Sequence, residues 1–242
     1  MSEAVTTSEA PQRLQGPGIT VVVGTFLGPF FEGALLFASA GTVALLRGWL
    51  FVAVSFVGMF GQIVIVTLKN PGLVNHRGLW KKKKDAKTWD RSLVPIYGLF
   101  AFYAVPVVMG VDVGRYHWSS LGPVAAVVGT ALFGLGSVLL TWAMLVNTHF
   151  ETTVRLQWDR GHQVVTGGPY RVVRHPGYVG ASLWALAGPL IVGSTVALIP
   201  AVLAVLVLVV RTSLEDRTLH RELTGYADYA ERVRYRLVPG LW

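Results

Sequence analysis

The chain contains no cysteine. Cysteine nucleophiles, thiolate metal sites, disulfides and palmitoyl anchors are thereby excluded together. Charge is the second scarcity. Only 14% of the 242 residues are Asp, Glu, Lys or Arg, against about 25% in an average soluble domain. Acids are the scarcer sign, with 13 Asp and Glu against 21 Lys and Arg and a net charge of +8. What fills the remainder is apolar: 52% of residues are hydrophobic and the mean hydropathy is +0.52. A soluble domain of this size cannot hide so much apolar surface, so the composition predicts a membrane protein. It excludes a disordered chain, a collagen and a disulfide scaffold.

Other patterns are missing too. Residues 1–18 are polar, carry Glu3, Glu9 and Arg13, and lack the basic start and short apolar core of a secretory signal. They read as a disordered tail. No repeat of fixed period and no inverted half-and-half symmetry of the transporter kind is visible. No Gly-x-Gly-x-x-Gly follows an expected strand, which argues against a Rossmann cofactor domain. His149 with Glu151, and His162 with His175, follow no metal-ligand spacing, so no metal is expected.

The apolar runs are long. A membrane helix needs roughly 20 mostly apolar residues, and candidates cover 19–46, 49–68, 93–111 and 121–146. The first includes Gly28-Pro29 and Glu32, so a kink is expected there. Glu32 has two readings: a functional carboxylate inside a span, or one left near an interface by a proline break. A further apolar stretch, 178–210, is too long for one ordinary span. Gly188-Pro189 and Gly193-Ser194 offer breaks, so a helical hairpin is expected. The fold class is therefore an all-α integral membrane protein with five to six transmembrane helices, the C-terminal hairpin included. After it, Leu214, Leu219, Leu223, Tyr226, Ala230, Val233 and Leu237 recur at helical spacing, which predicts an amphipathic C-terminal helix broken near Gly225. That helix would lie on the membrane or on the protein's own core.

Positive charge concentrates in residues 69–91, where Lys81–Lys84 form an unbroken run. The positive-inside rule places this loop in the cytoplasm. Both termini and the segment 147–174 then fall on the same side, provided that the hairpin is real. The lysine run reads as a topology determinant near anionic lipid. Nucleic acid as a partner is not expected, because interleaved aromatics and supporting basic patches are missing.

Chemistry-bearing residues cluster in two cytoplasmic segments. In the first, the glycines before Pro169 allow close approach to a ligand, and Pro176 suits the first turn of a helix. Arg174 and His175 add donors to the free N–H groups of that helix start, a combination that favours an anion. The second segment carries Glu215 and Asp216 where the last apolar helix leaves the membrane. A hairpin would return these acids to the Arg174–His175 end. Opposite charges on two walls of one pocket would suit an amino-acid-like group.

The stretch Gly168-x-Tyr170, then Arg174-His175-Pro176-x-Tyr178-x-Gly180, is followed by the pair Glu215-Asp216. The ending is Gly225-Tyr226-Ala227-Asp228-Tyr229, then Val233, Arg236 and Pro239-Gly240. This combination resembles the isoprenylcysteine carboxyl methyltransferase family, itself related to phospholipid N-methyltransferases. The resemblance covers residues 147–242; the spans within 19–146 match only as membrane helices. It implies S-adenosylmethionine as methyl donor, bound at the cytoplasmic ends of the last helices. It also implies a lipophilic or prenylated acceptor entering from the bilayer. Carried over onto this sequence, the cofactor-binding positions are His162, Gly168, Tyr170, Arg174, His175, Pro176, Tyr178, Gly180, Glu215 and Asp216, with Arg174 and Glu215 as the catalytic pair. The family's acidic pair is often Glu-Glu, so the shorter Asp216 departs from it. A carboxylate acceptor would need a cation to orient it, and Arg155, Arg171 and Arg211 are available. Phospholipid or amine N-methylation, an NADPH-dependent sterol-reductase-like activity, and a non-enzymatic scaffold or transporter remain the rival classes.

Overall fold

The computed structural model describes residues 13–242. Among them the fold is helical, with no strand. In chain order the helices are α1 (Gly16–Ala40), α2 (Leu46–Lys69), α3 (Pro71–Gly78), α4 (Thr88–Gly98), α5 (Val105–Gly110), α6 (Pro123–Val146), α7 (Pro176–Val192), α8 (Leu198–Glu222) and α9 (Tyr226–Arg232). A π-helical stretch at Leu99–Ala104 joins α4 to α5 and a second, Val111–Tyr116, extends α5, making one continuous rod, Thr88–Tyr116. Among the described residues five helices are long and apolar enough to cross a membrane: α1, α2, the Thr88–Tyr116 rod, α6 and α8; α7 is apolar but shorter.

Apolar side chains cover the outside as well as the core. Ile19, Val23, Leu27 and Phe30 on α1, Val57 and Leu68 on α2, and Val124, Val127 and Val138 on α6 are all exposed. Water would penalise such a belt, whereas lipid tails match it. The helices pack through small residues, as membrane helices do where no hydrophobic gain separates protein from lipid. A Cβ on Gly136 of α6 would lie 2.8 Å from the Gly180 carbonyl oxygen of α7, and one on Gly180 would lie 2.8 Å from the Gly136 carbonyl oxygen.

Several expectations sharpen here. α1 runs through Pro29 without a break. It begins at Gly16, inside the stretch expected as a tail, where Gln15 donates to the Asn75 side chain (2.8 Å) and Asn75 donates back to the Arg13 carbonyl (3.0 Å). Residues 1–12 lie outside the described residues. The apolar stretch 178–210 is a hairpin: α7 ends on Gly193, whose φ of 99° is a left-handed cap that favours glycine, and α8 follows. The amphipathic tail docks on the protein's own core, where Tyr226, Tyr229 and Leu237 are buried.

Candidate active site

The hairpin returns α8 beside the start of α7 and encloses two differently wired acids. Asp216 is 1% exposed. It receives Arg174 through both oxygens (Nε to Oδ1 2.8 Å, Nη2 to Oδ2 2.9 Å), Arg236 Nε (2.8 Å) and the Tyr226 hydroxyl (2.8 Å), with His175 Nε2 at 3.2 Å. Arg174 Nη1 is also spent, on the carbonyls of Val233 and Arg234 at 2.8 Å each. The backbone joins in, Arg174 N donating to Tyr235 O (2.9 Å) and His175 N to Arg236 O (3.0 Å). Burial works against charge on Arg174, but the paired carboxylate outweighs it and holds the pKa above the ordinary arginine value. This cluster sews α7, α8 and the tail together.

Beside it lies a cavity of about 420 Å³, within the size range of small-molecule sites. Glu215 faces into it. One carboxylate oxygen accepts from the Tyr178 hydroxyl, and the other has no protein partner among the described residues. Arg211 lies one helical turn earlier, its guanidinium 5.2 Å from the centre of the Tyr178 ring. It is anchored by Asp90 (2.6 and 3.1 Å) and the Thr152 carbonyl (2.6 Å), which leaves Nη1 without a protein partner among the described residues. Asp90 also accepts from Val154 N at 2.7 Å, tying α4 to the segment after α6.

That segment, residues 147–167, roofs the cavity. Arg155 is buried and braced by Glu151, Asp85 and Asp159, each at 2.9 Å. The basic loop contributes Lys83, 3.3 Å from Glu151. Inside the roof, Gln157 N donates to His162 Nδ1 at 3.3 Å, which leaves Nε2 to carry the proton of a neutral ring. Burial, together with neighbouring His149 and Arg155, lowers the His162 pKa to about 4. At neutral pH it therefore offers an uncharged N–H donor. Tyr170 hydrogen-bonds Asn147 at 3.0 Å, and burial raises the pKa of its hydroxyl. Away from these polar groups the wall is apolar, with Phe102, Trp184 and Leu208.

Of the site residues expected from sequence, His162, Tyr170, Arg174, His175, Tyr178 and Glu215 line this one cavity. Gly168, Pro176, Gly180 and Asp216 do not, and each has another place. Gly168 takes φ +57° where a Cβ would meet Trp142 at 2.9 Å, and Pro176 opens α7. Gly180 packs against α6, and Asp216 sits behind the wall in the ion cluster. Arg171 is exposed and lies off the cavity, and Arg155 is consumed by acids. Sequence reading missed Asp90, Gln157 and Tyr97; only the oddity of an acid within a basic loop hinted at Asp90.

Residues 127–221 match the model of the isoprenylcysteine carboxyl methyltransferase (ICMT) family. Glu215, Arg211, Tyr178 and His162 fall inside the ICMT match, whereas Tyr97 and Phe102 fall outside it. Two curated rice proteins, each named "Probable protein-S-isoprenylcysteine O-methyltransferase", from Oryza sativa subsp. indica and subsp. japonica, are 33% identical over 60 residues. The aligned stretch is 24% of this chain and spans 31% of each relative's length. Among the described residues there is no cluster of three or more potential metal-ligating side chains.

Proposed function

We propose that the protein is an integral membrane methyltransferase that uses S-adenosylmethionine to methylate the carboxylate of a lipophilic, isoprenylcysteine-like acceptor. One observation carries the reading. A single cavity sets unengaged polar atoms of Glu215, Arg211 and His162 at one end and apolar walls at the other. The ICMT-family match over the residues that supply those atoms supports the same reading. The site fits the proposed donor chemically. The free Glu215 oxygen suits an ammonium group, and aromatic walls suit an adenine ring.

When bound, S-adenosylmethionine supplies a methyl group already activated on a sulfonium. A carboxylate acceptor is nucleophilic as it stands, so no general base is required. The protein's work is to orient both partners and to exclude water. Arg211 is the cation to orient the acceptor, because Nη1 is free and Asp90 fixes the rest of the guanidinium. Glu215 and Tyr178 bind the donor, and His162 adds a neutral N–H donor from the roof. Arg174 acts as a positioning residue that keeps α7 against α8. In this reading the basic loop, the roof and the tail face the cytoplasm.

Amine methylation is less well matched. It would need a neutral amine and a path for its proton, and the free groups at the acceptor side are cationic. Calorimetry of S-adenosylhomocysteine with detergent-purified protein tests the reading, with NADPH titrated in parallel. Expected is micromolar binding of S-adenosylhomocysteine, weakened at least tenfold by Glu215→Gln. Saturable binding of NADPH instead, by folded wild type, would replace a methyltransferase with an oxidoreductase.

A further inference from the structure

Glu32 lies within α1, 7% exposed, with no hydrogen bond or ion pair among the described residues. An unpartnered carboxyl in a membrane span is expensive, and its removal would cost the fold no hydrogen bond or ion pair among the described residues. Glu32 opens on a small void of about 30 Å³ whose other walls are largely apolar, among them Phe51, Met59 and Phe133. That is room for one water-sized group. Tyr97 lines the same void, and its hydroxyl likewise has no protein partner among the described residues.

The void adjoins the main cavity. Tyr97, Phe102 and Trp184 line both it and the main cavity. Along α7, Tyr178 belongs to the reacting end, whereas Ala185 and Gly188 line the void. At 1.5 Å per residue they lie roughly 10–15 Å further along the helix axis. A chain whose carboxylate meets Arg211 and which follows α7 reaches Phe102 and Trp184, and rotation of these shared side chains would admit its far end to Glu32. A plain hydrocarbon terminus would leave that carboxyl unsatisfied. A hydroxyl donates and accepts, so it pairs with a carboxyl in either protonation state and with the tyrosine beside it.

We propose that Glu32 and Tyr97 form a polar subsite at the inner end of the acceptor channel, which selects lipophilic acceptors bearing a hydroxyl group on the distal end of the chain. The subsite rests on the acceptor-channel reading above. Two probes test it, N-acetyl-S-farnesylcysteine and its analogue with a hydroxyl on the terminal methyl of the farnesyl chain. Their dissociation constants are measured by calorimetry on purified full-length protein. The hydroxylated probe should bind about tenfold more tightly to wild type, the effect of one hydrogen bond of about 1.4 kcal/mol. Glu32→Leu should abolish that preference without weakening the plain probe, which no longer leaves a carboxyl unsatisfied, and Glu32→Gln, which still hydrogen-bonds, should retain part of it. Tyr97→Phe provides a second route should the leucine variant fold poorly, and it should reduce the preference. Equal affinities in wild type, a preference that persists in Glu32→Leu, or binding of neither probe overturns the subsite. Methyl transfer to the plain probe is read separately. A hydroxyl preference without transfer keeps the subsite and rejects the methyltransferase, and transfer without a preference does the reverse.

Discussion

Glu215 and Asp216 are neighbours in sequence and opposites in circumstance. Asp216 receives two arginines, a tyrosine and a histidine and has no capacity left. Glu215 accepts from one hydroxyl and turns its other oxygen to a cavity. A helix sends adjacent side chains in directions about 100° apart, so one acid can build the wall while the next faces the ligand. A saturated acid holds a fold together, and an unsaturated one awaits a partner. The same contrast separates Arg174, each of whose side-chain nitrogens has a partner, from Arg211, whose Nη1 has none among the described residues.

The largest effect that should follow is on Asp216. Asp216→Ala strands buried Arg174 and part-buried Arg236 without their counter-charge, a loss of about 3–5 kcal/mol. Thermal unfolding in detergent should register it as a large fall in Tm. If Asp216→Ala unfolds like wild type yet loses cofactor, the two acids do not differ in kind. Next comes Arg211→Met, which removes the orienting cation and strands Asp90. Methyl transfer should fall by about two orders of magnitude or more, with S-adenosylhomocysteine affinity changed far less. Glu215→Gln should do the opposite, lowering S-adenosylhomocysteine affinity at least tenfold while Tm moves by only a few degrees. Tyr178→Phe removes one hydroxyl from Glu215 and should weaken the same binding by a smaller factor, about fivefold, the scale of a single hydrogen bond.

The smallest effect concerns pH. The His162 pKa lies below its ordinary value in the folded protein, so the folded state binds fewer protons than the unfolded one. Its contribution to stability is complete above about pH 6.5 and is lost as pH falls towards 4. Tm measured across that window should decline, and His162→Gln, whose side-chain oxygen can still accept from Gln157 N, should flatten that part of the decline.

Much of this arrangement is legible in the sequence. Hydropathy runs locate the first four spans to within about six residues at each end, because a lipid-facing helix must be apolar over its whole crossing. Gly193 marks the hairpin, since a left-handed cap favours glycine. The grouping of Tyr170, Arg174, His175, Tyr178 and Glu215 also follows from motif and topology. What sequence hides is which charge is spent. Arg174 reads as a ligand donor until its partners Asp216, Val233 and Arg234 are seen, and those lie far along the chain. Asp90 hides for the same reason, because its partner Arg211 is 121 residues away. Lining is equally invisible to motif reading: Gly180 belongs to the signature yet serves the contact between α6 and α7.

The ion cluster around Asp216 also dictates an order of assembly. Its bonds join Arg174 to an acid 42 residues later and that acid to Arg236 a further 20 residues on. During synthesis from the N-terminus, α1, α2 and α6 can enter the bilayer and pack while none of these partners has yet emerged. The polar end of the cavity closes only when the hairpin has been threaded and the tail has folded back on it. Biogenesis therefore delivers a packed helical bundle first and an enclosed cavity last, so an interrupted chain would keep its early helices and lack the cavity's closed polar end.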